Sequence, residues 1–178
     1  MARAKGTAML QMAKALRSLP ESSRGKVPQA LQRYLRERIL PSTWYPEEDY
    51  LALITTLGQL WPTDGGDVFD QFGTRAAQHD LTGIYRGMMK RGTVLGTLKA
   101  IKDLFTLYHD TGRVETSGDE RHALLDIIDY PSVSADHCRF LDAYCREHLR
   151  LSLGREVAVR ETQCRARGDT RCRREIQR

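Results

Sequence analysis

The chain has 178 residues, of which 40% are hydrophobic and 29% charged, and its formal net charge is +5. This length allows a core that needs no disulfides, and it predicts a single domain over residues 1–178. No apolar run reaches the ~18–20 residues that a membrane span needs, and the charged first twenty residues do not resemble a signal peptide. We therefore expect a cytoplasmic protein.

The first 110 residues are predicted to be helical. Apolar residues recur at helical spacing over residues 6–19, and Pro20 follows directly. Pro28 and Pro46 each stand at the start of a further apolar pattern, where proline suits the first helical turn. We predict helices over residues 6–19, 28–39, 50–60, 68–79 and 92–109.

Residues 111–178 are predicted to form a hairpin, a helix and a second hairpin. The segment GRVETSGDERHALLDIIDYP contains two strand-like runs around the turn residues SGD. A helix is predicted over residues 134–153, ended by Gly154, and the runs REVAVRETQC and RCRREI are typical of two further strands. Because hairpins need no parallel crossover, the expected fold class is α+β, with an N-terminal helical layer packed on a small antiparallel sheet.

The C-terminal end is rich in arginine. From Arg150 onward the chain has nine arginines against four acidic residues. Such a segment could bind phosphate groups. It contains no aromatic residues between the arginines, and basic and acidic residues alternate, which favours a solvated rim. Nucleic acid is therefore an unlikely partner.

Cys164 and Cys172 lie symmetrically around Gly168. If a three-residue turn over residues 167–169 closes the last hairpin, the two thiols lie opposite each other on one face of the sheet. Opposed side chains have Cβ atoms ~4.5–5.5 Å apart, which allows two sulfurs to bind one ion. In a reducing cytoplasm such a pair favours a metal site over a disulfide.

Cys138 and Cys145 are seven residues apart on the predicted last helix, which places them on one face but ~10 Å apart along the axis. This distance excludes a disulfide and makes a shared ion difficult. Cys138 lies in the first turn, where the helix dipole favours the thiolate, whereas Cys145 continues an apolar stripe and is expected to fill core. The candidate ligands are Cys138, Cys164 and Cys172, and the alternative is that all are ordinary buried cysteines.

A closed tetrahedral site requires a fourth ligand. The candidates are Glu115, His122, Asp136 and His137. His137 should point about 100° away from Cys138 around the helix, so it ranks behind a residue of the first hairpin. The residues alone do not decide between Glu115 and His122.

The segment DHCRFLDAYC…LSLGREVAVRETQCRARGDTRC, within residues 134–176, resembles the 4-vinyl-reductase domain family. That family includes the sensor domains of aromatic-responsive transcription activators, and its superfamily includes haem nitric-oxide-binding domains and TRAPP subunits. The resemblance implies helices packed on a four-stranded antiparallel sheet, often in a homodimer. It also implies a structural zinc held by Cys138, Cys164, Cys172 and Glu115.

The favoured function is a stand-alone ligand-binding regulatory or sensor domain with a structural zinc as its cofactor. A small apolar molecule would lie between the helical layer and the sheet. Residue by residue, ordinary core is the favoured interpretation of its candidate pocket residues, which are Tyr85, Met88, Met89, Leu95, Leu98, Phe105 and Tyr108.

The alternative function is a dimeric scaffold or assembly subunit that acts through protein contacts without a small ligand. Its arginine-rich end could then contact an acidic protein partner. An enzyme is not expected, because the chain has no G-x-G-x-x-G motif after a strand, no P-loop, no H-E-x-x-H and no nucleophile elbow.

Overall fold

The computed structural model describes residues 1–62, 65–89, 92–132 and 134–178. Helices dominate the first 110 residues, and the change to strands follows directly after them, as predicted. The helices of the described residues are α1 (Gly6–Ser18), α2 (Glu21–Arg24), α3 (Arg33–Arg36), α4 (Glu47–Leu60), α5 (Val68–Thr82), α6 (Val94–Tyr108) and α7 (Ala135–Leu153).

The described strands form two antiparallel sheets. A small sheet pairs β1 (Arg3–Lys5) with β2 (Trp44–Pro46). The larger sheet has the strand order β3-β4-β6-β5. Its strands are β3 (Arg113–Gly118), β4 (His122–Ile128), β5 (Ala158–Gln163) and β6 (Cys172–Gln177). The predicted α+β class, with two hairpins on either side of a helix, is confirmed.

Side-chain caps explain where three of the long helices begin. Asp67 accepts hydrogen bonds from two backbone amides of α5, Thr93 accepts one from Gly96, and Ser134 accepts one from His137. These caps occupy amides that have no partner inside the helix. Gly154 ends α7 in the left-handed conformation, with φ 68°. The predicted helices 6–19, 50–60, 68–79, 92–109 and 134–153 are confirmed to within three residues at their ends.

The predicted helix over residues 28–39 is wrong. The chain forms a 3₁₀ turn at Gln29–Leu31 and only the single turn α3. The side chain of Arg17 donates to the carbonyl oxygens of Tyr34 and Glu37. A continuous helix would use the Tyr34 carbonyl for its own ladder, so the contact with α1 replaces the helix.

Buried side chains form two adjoining apolar clusters. The first joins α1, α4 and α5, and the second lies between α6, α7 and the inner face of the four-stranded sheet. On that inner face Ile127 of β4 pairs with Val114 of β3 and with Cys172 of β6. Helix α7 contributes to both clusters, so it is the element that joins the helical layer to the sheet.

Candidate functional site

Three cysteines meet between the start of α7 and the last hairpin. The Cys138 sulfur lies 3.6 Å from that of Cys172 and 3.5 Å from that of Cys164. All three sulfurs lie within 4.8 Å of one another, and all three residues are buried. The structure therefore brings together the three thiols that the sequence singled out.

The loop that presents two of these thiols is longer than predicted. In place of a three-residue turn, a 3₁₀ turn spans Arg165–Arg167, and Gly168 follows with φ 98°. The Asp169 carboxylate accepts a hydrogen bond of 2.7 Å from the Cys164 amide, and the Asp169 amide donates to the Cys164 carbonyl. The Asp169 side chain thus closes the loop. Because of this closure, both thiols face inward although the loop is longer than three residues.

The electrostatics of the cluster favour one ionised sulfur. The contact with the Cys138 thiol lowers the pKa of Cys172 to about 6, and the same contact raises the pKa of Cys138. A thiol that donates a hydrogen bond stabilises the neighbouring thiolate. Arg174, which is fully buried, donates to the Cys138 carbonyl at 3.1 Å and brings a positive charge close to the cluster. The cluster can therefore hold negative charge away from water.

Cys145 lies outside the cluster, as the sequence predicted. It is buried in the second apolar cluster and lines the internal cavity described below. Burial raises the pKa of its thiol to about 11. This cysteine remains a neutral, apolar core residue.

Glu115 lies on the opposite face of the sheet from the thiols. Its neighbour Val114 faces the core beside Ile127, so Glu115 points outward, where it is exposed and pairs with Arg113 at 3.2 Å. His122 is exposed, and Asp136 accepts a hydrogen bond from Thr55. Among the described residues, the cluster of possible ligand atoms contains the three cysteines and no carboxylate or imidazole.

A second feature is an internal cavity of about 50 Å³ between the helical layer and the sheet. Helices α1, α4, α5, α6 and α7 and strands β3 and β4 all contribute to its wall. The lining residues are Ala8, Gln11, Met12, Tyr50, Ala76, Asp80, Ile101, Leu104, Phe105, Tyr108, His109, Val114, Leu125, Ile127, Phe140, Leu141, Tyr144 and Cys145.

The predicted pocket residues are distributed unevenly around this cavity. Phe105 and Tyr108 line it, and Tyr85 packs edge-on against Tyr108 with ring centres 5.3 Å apart. Four predicted residues lie elsewhere: Leu98 is buried in the second apolar cluster, Leu95 is exposed, and Met88 and Met89 are half-buried away from the cavity.

Two hydrogen-bonded polar groups at this cavity were not predicted. Asp80 accepts from the hydroxyls of Tyr108 and Tyr144, and burial raises the pKa of its carboxyl. Nδ1 of His109, also in the wall, lies 2.9 Å from a carboxylate oxygen of the buried Glu47. The sequence contained one indication of Asp80's role: it is a charged residue at a buried position of α5, where apolar residues are usual.

Within the described residues, none of the helices combines the length and the apolar character that a bilayer span requires.

The comparisons with known proteins find similar structures only. No protein-family model matches the chain, and no curated protein matches it. An oxygen-binding H-NOX domain related to soluble guanylate cyclases, in its oxygen complex, is 11% identical with a TM-score of 0.66; the match covers 97% of this chain and 94% of that chain. An H-NOX protein from S. oneidensis in the Fe(II)NO ligation state is 12% identical with a TM-score of 0.63 and covers 97% and 98%.

A third structure, from work on haem redox potential and protein-induced porphyrin distortion, is 12% identical with a TM-score of 0.67, covering 98% and 99%. At these identities the likeness shows a common fold. It confirms the predicted resemblance at the level of the fold shared with haem nitric-oxide-binding domains, while the 4-vinyl-reductase family itself stays a prediction. The two neighbours named first are described in an oxygen complex and in an Fe(II)NO ligation state.

The prediction of zinc as the cofactor is wrong. The three solved structures named here are described by haem, by an oxygen complex and by Fe(II)NO ligation. The physical reason lies in the fourth ligand, which the zinc assignment required. Because Glu115 faces away from the thiols, the residues do not assemble the closed four-coordinate site that structural zinc prefers.

Proposed function

We propose that this chain is a ligand-binding sensor domain and that the cavity between the helical layer and the sheet is its ligand site. One observation carries the proposal: buried polar groups, Asp80 and His109, converge on a largely apolar cavity. Ligand sites are typically concave and apolar, with a few polar groups that orient the ligand. The shared fold supports the proposal, since neighbours with this fold are described with bound oxygen or nitric oxide.

Haem does not fit this site. The cavity of about 50 Å³ is several times smaller than the ~300–1,000 Å³ of pockets that bind drug-sized ligands. His109 is the histidine in its wall, and the ring of Phe105 lies 4.6 Å and that of Tyr130 5.3 Å from it, centre to centre. These packed rings leave no space for a macrocycle beside His109. We therefore propose a ligand of a few non-hydrogen atoms.

The proposal is tested by closing the cavity. Ala8 lines it at a half-buried position of α1, so Ala8→Leu should fill its entrance. Ala15→Leu is the matched control, because Ala15 is also half-buried on α1 and packs on the same apolar cluster without lining the cavity. Amide chemical shifts would be followed while short alcohols and amines of two to four non-hydrogen atoms are added.

We expect at least one compound to shift amides around the cavity, and Ala8→Leu to weaken its binding at least tenfold while Ala15→Leu changes it less than twofold. Chemical-shift changes that map elsewhere, or a panel without any binder, would contradict the ligand site.

We also propose that Cys138, Cys164 and Cys172 bind a thiophilic metal ion. Three sulfurs within 4.8 Å, without an oxygen or nitrogen ligand from the described residues, suit an ion that accepts three thiolates, such as Cu(I). The three cysteines also support the proposal that the chain belongs to the 4-vinyl-reductase family. All three are free thiols, which supports the proposal of a reducing, cytoplasmic location.

The metal site is tested with Cu(I) added anaerobically in competition with a coloured chelator. We expect one equivalent to bind the native protein and Cys172→Ser to abolish this binding. Cys145→Ser is the matched control, since Cys145 is an equally buried thiol outside the cluster. Equal Cu(I) binding by both variants would rule out the site.

A further inference from the structure

The carboxylate of Asp80 is the charged group that α5 contributes to the cavity wall. Asp80 is 6% exposed, and its Oδ2 accepts hydrogen bonds from the hydroxyls of Tyr108 and Tyr144. Its nearest basic neighbour is His79, with Nδ1 at 3.6 Å on a side chain that is half exposed. In the described part of the chain, no arginine or lysine nitrogen lies within ion-pair distance of Asp80. The Asp80 carboxylate is therefore bound by two neutral hydroxyls, and the basic group beside it is a histidine on a half-exposed side chain.

Aromatic rings form much of the remaining wall of the cavity. They belong to Tyr50, Phe105, Tyr108, Phe140 and Tyr144. The face of an aromatic ring is electronegative and attracts a cation, most strongly where water is excluded. A cation in this cavity would therefore lie among aromatic rings as well as beside the carboxylate.

A second carboxylate makes the region around the cavity more negative. Glu47 is 1% exposed, and it is bound by His109 and by the hydroxyl of Tyr130. Burial raises the pKa of Tyr50, and the Glu47 and Asp80 carboxylates raise it further. Tyr50, which lines the cavity, thus lies in the field of both acids.

We propose that the cavity binds a short-chain primary amine as its ammonium ion, with Asp80 as the anionic partner and the aromatic rings around the alkyl group. This proposal rests on the proposed function of the cavity as a ligand site. An ammonium offers three donors and a compact charge, which matches a carboxylate that is already bound by two hydroxyls. The volume of about 50 Å³, against the roughly 10–15 Å³ that a cavity needs to hold one water molecule, limits the ligand to a few non-hydrogen atoms.

The competing explanation is that Asp80 only orders the two tyrosine hydroxyls. On that explanation charge would not matter for binding, and an alcohol of the same size would bind as well as an amine. A charge-selective site instead discriminates between the two because a buried carboxylate gains little from a neutral guest.

The test compares ethylammonium chloride with ethanol at constant ionic strength, using amide chemical shifts of the full chain. We expect ethylammonium to bind the native protein at least tenfold more tightly than ethanol. Asp80→Asn should lower ethylammonium affinity at least tenfold and change ethanol affinity less than twofold. Asp70→Asn is the matched control, because Asp70 lies on the same helix but its side chain is 49% exposed and pairs with Arg146. It should change neither affinity.

The comparison of the two compounds in the native protein keeps the test decisive if Asp80→Asn does not fold. Equal affinities for ethylammonium and ethanol in the native protein would overturn the proposal while the ligand site stands. If neither compound nor any other member of the panel binds, the ligand site falls as well.

Discussion

Arg174 is the largest side chain that the structure buries completely. It reaches from the inner face of β6 to α7, where its Nε lies 2.5 Å from the Asp142 carboxylate. The Glu161 carboxylate lies 3.9 Å from the same guanidinium. Its removal would leave the Asp142 carboxylate without its close cation, while Glu161 would keep Arg167 at 2.7 Å. Loss of a fully buried partner costs far more than the loss of an exposed one.

We expect Arg174→Met to lower the free energy of unfolding by about 3–5 kcal/mol. Arg113→Met is the control, since its pairs with Glu115 and Asp129 are exposed, and its cost should stay below about 1 kcal/mol. Urea denaturation of both variants measures the difference. Similar losses would show that Arg174 contributes no more than a surface charge.

His148 predicts a pH dependence of stability. Its side chain is fully buried in α7, and neither ring nitrogen has a hydrogen-bond partner in the described residues. Desolvation lowers its pKa to about 4. The unfolded chain takes up this proton near pH 6.5, and the folded chain only near pH 4. The stabilisation that comes from a neutral His148 is therefore complete above pH 6.5, and it is lost as the pH falls from 6.5 to 4.

Between pH 7 and pH 5 this residue alone should lower the free energy of unfolding by about 2 kcal/mol. His148→Leu should reduce the observed loss by that amount, whereas His122→Gln, at an exposed position, should leave it unchanged. Urea denaturation at the two pH values checks both. An unaltered pH dependence in His148→Leu would mean that the imidazole reaches water when folded.

At the scale of elements, α5 and α7 lie in close contact at Gly73. A Cβ atom at this position would lie 2.2 Å from the Phe140 carbonyl oxygen and 2.7 Å from the Ala143 Cβ. The Phe140 carbonyl belongs to the backbone of α7, so it can move away from a new Cβ atom only if the whole helix moves. We expect Gly73→Ala to lower the free energy of unfolding by about 1–3 kcal/mol.

Gly25→Ala is the matched control for this contact. A Cβ atom at Gly25 meets nothing within 4 Å, and the residue already has helical dihedral angles. It should be neutral or slightly stabilising, by up to about 1 kcal/mol. Thermal unfolding of the two variants tests whether the helix contact, rather than glycine loss itself, carries the cost. Equal melting temperatures would contradict the close approach.

Helix α7 also connects the two candidate sites. Cys138 in its first turn joins the thiol cluster, and Leu141, Tyr144 and Cys145, one to two turns further on, line the cavity. A ligand that moves α7 would therefore move a thiol ligand as well. Helix α7 would thus couple the two proposed sites physically.

Sequence patterns predicted most elements because long apolar repeats and capping residues act locally. They predicted α6, α7 and both hairpins, but the helix over residues 28–39 failed since the competing partner, Arg17, belongs to another element. Strands β1 and β2 have three residues each, too few to show alternation.

The two sites were predictable to different degrees. The thiol cluster followed from cysteine spacing within a short segment of chain. The cavity depends on residues of α1, α4, α5, α6 and α7 at once, and only their packing brings Asp80, Tyr108 and Tyr144 together. Spacing along the chain carries no information about such a meeting.

At the scale of the whole molecule, the arginine-rich end is largely neutralised. Arg171 and Arg173 both pair with Asp126, and Arg167 pairs with Glu161. These ion pairs agree with the expected solvated rim and reduce the attraction for a nucleic-acid backbone. A homodimer and a protein partner remain predictions.

The small space beside His109 predicts that haem does not bind, and a titration tests this prediction. The overall likeness to haem domains extends over nearly the whole chain, but the space beside His109 amounts to about 50 Å³. Opening it for a macrocycle would separate the packed rings of Phe105, Tyr130 and Tyr50, at a cost of several kcal/mol in lost burial. Haemin added in equimolar amount should therefore show the absorption spectrum of free haemin, whereas the S. oneidensis protein, treated in the same way, serves as the positive control. A stoichiometric shift of the Soret band that disappears in His109→Ala would show that the interior opens around an iron ligand, and the small-ligand site would then have to be abandoned.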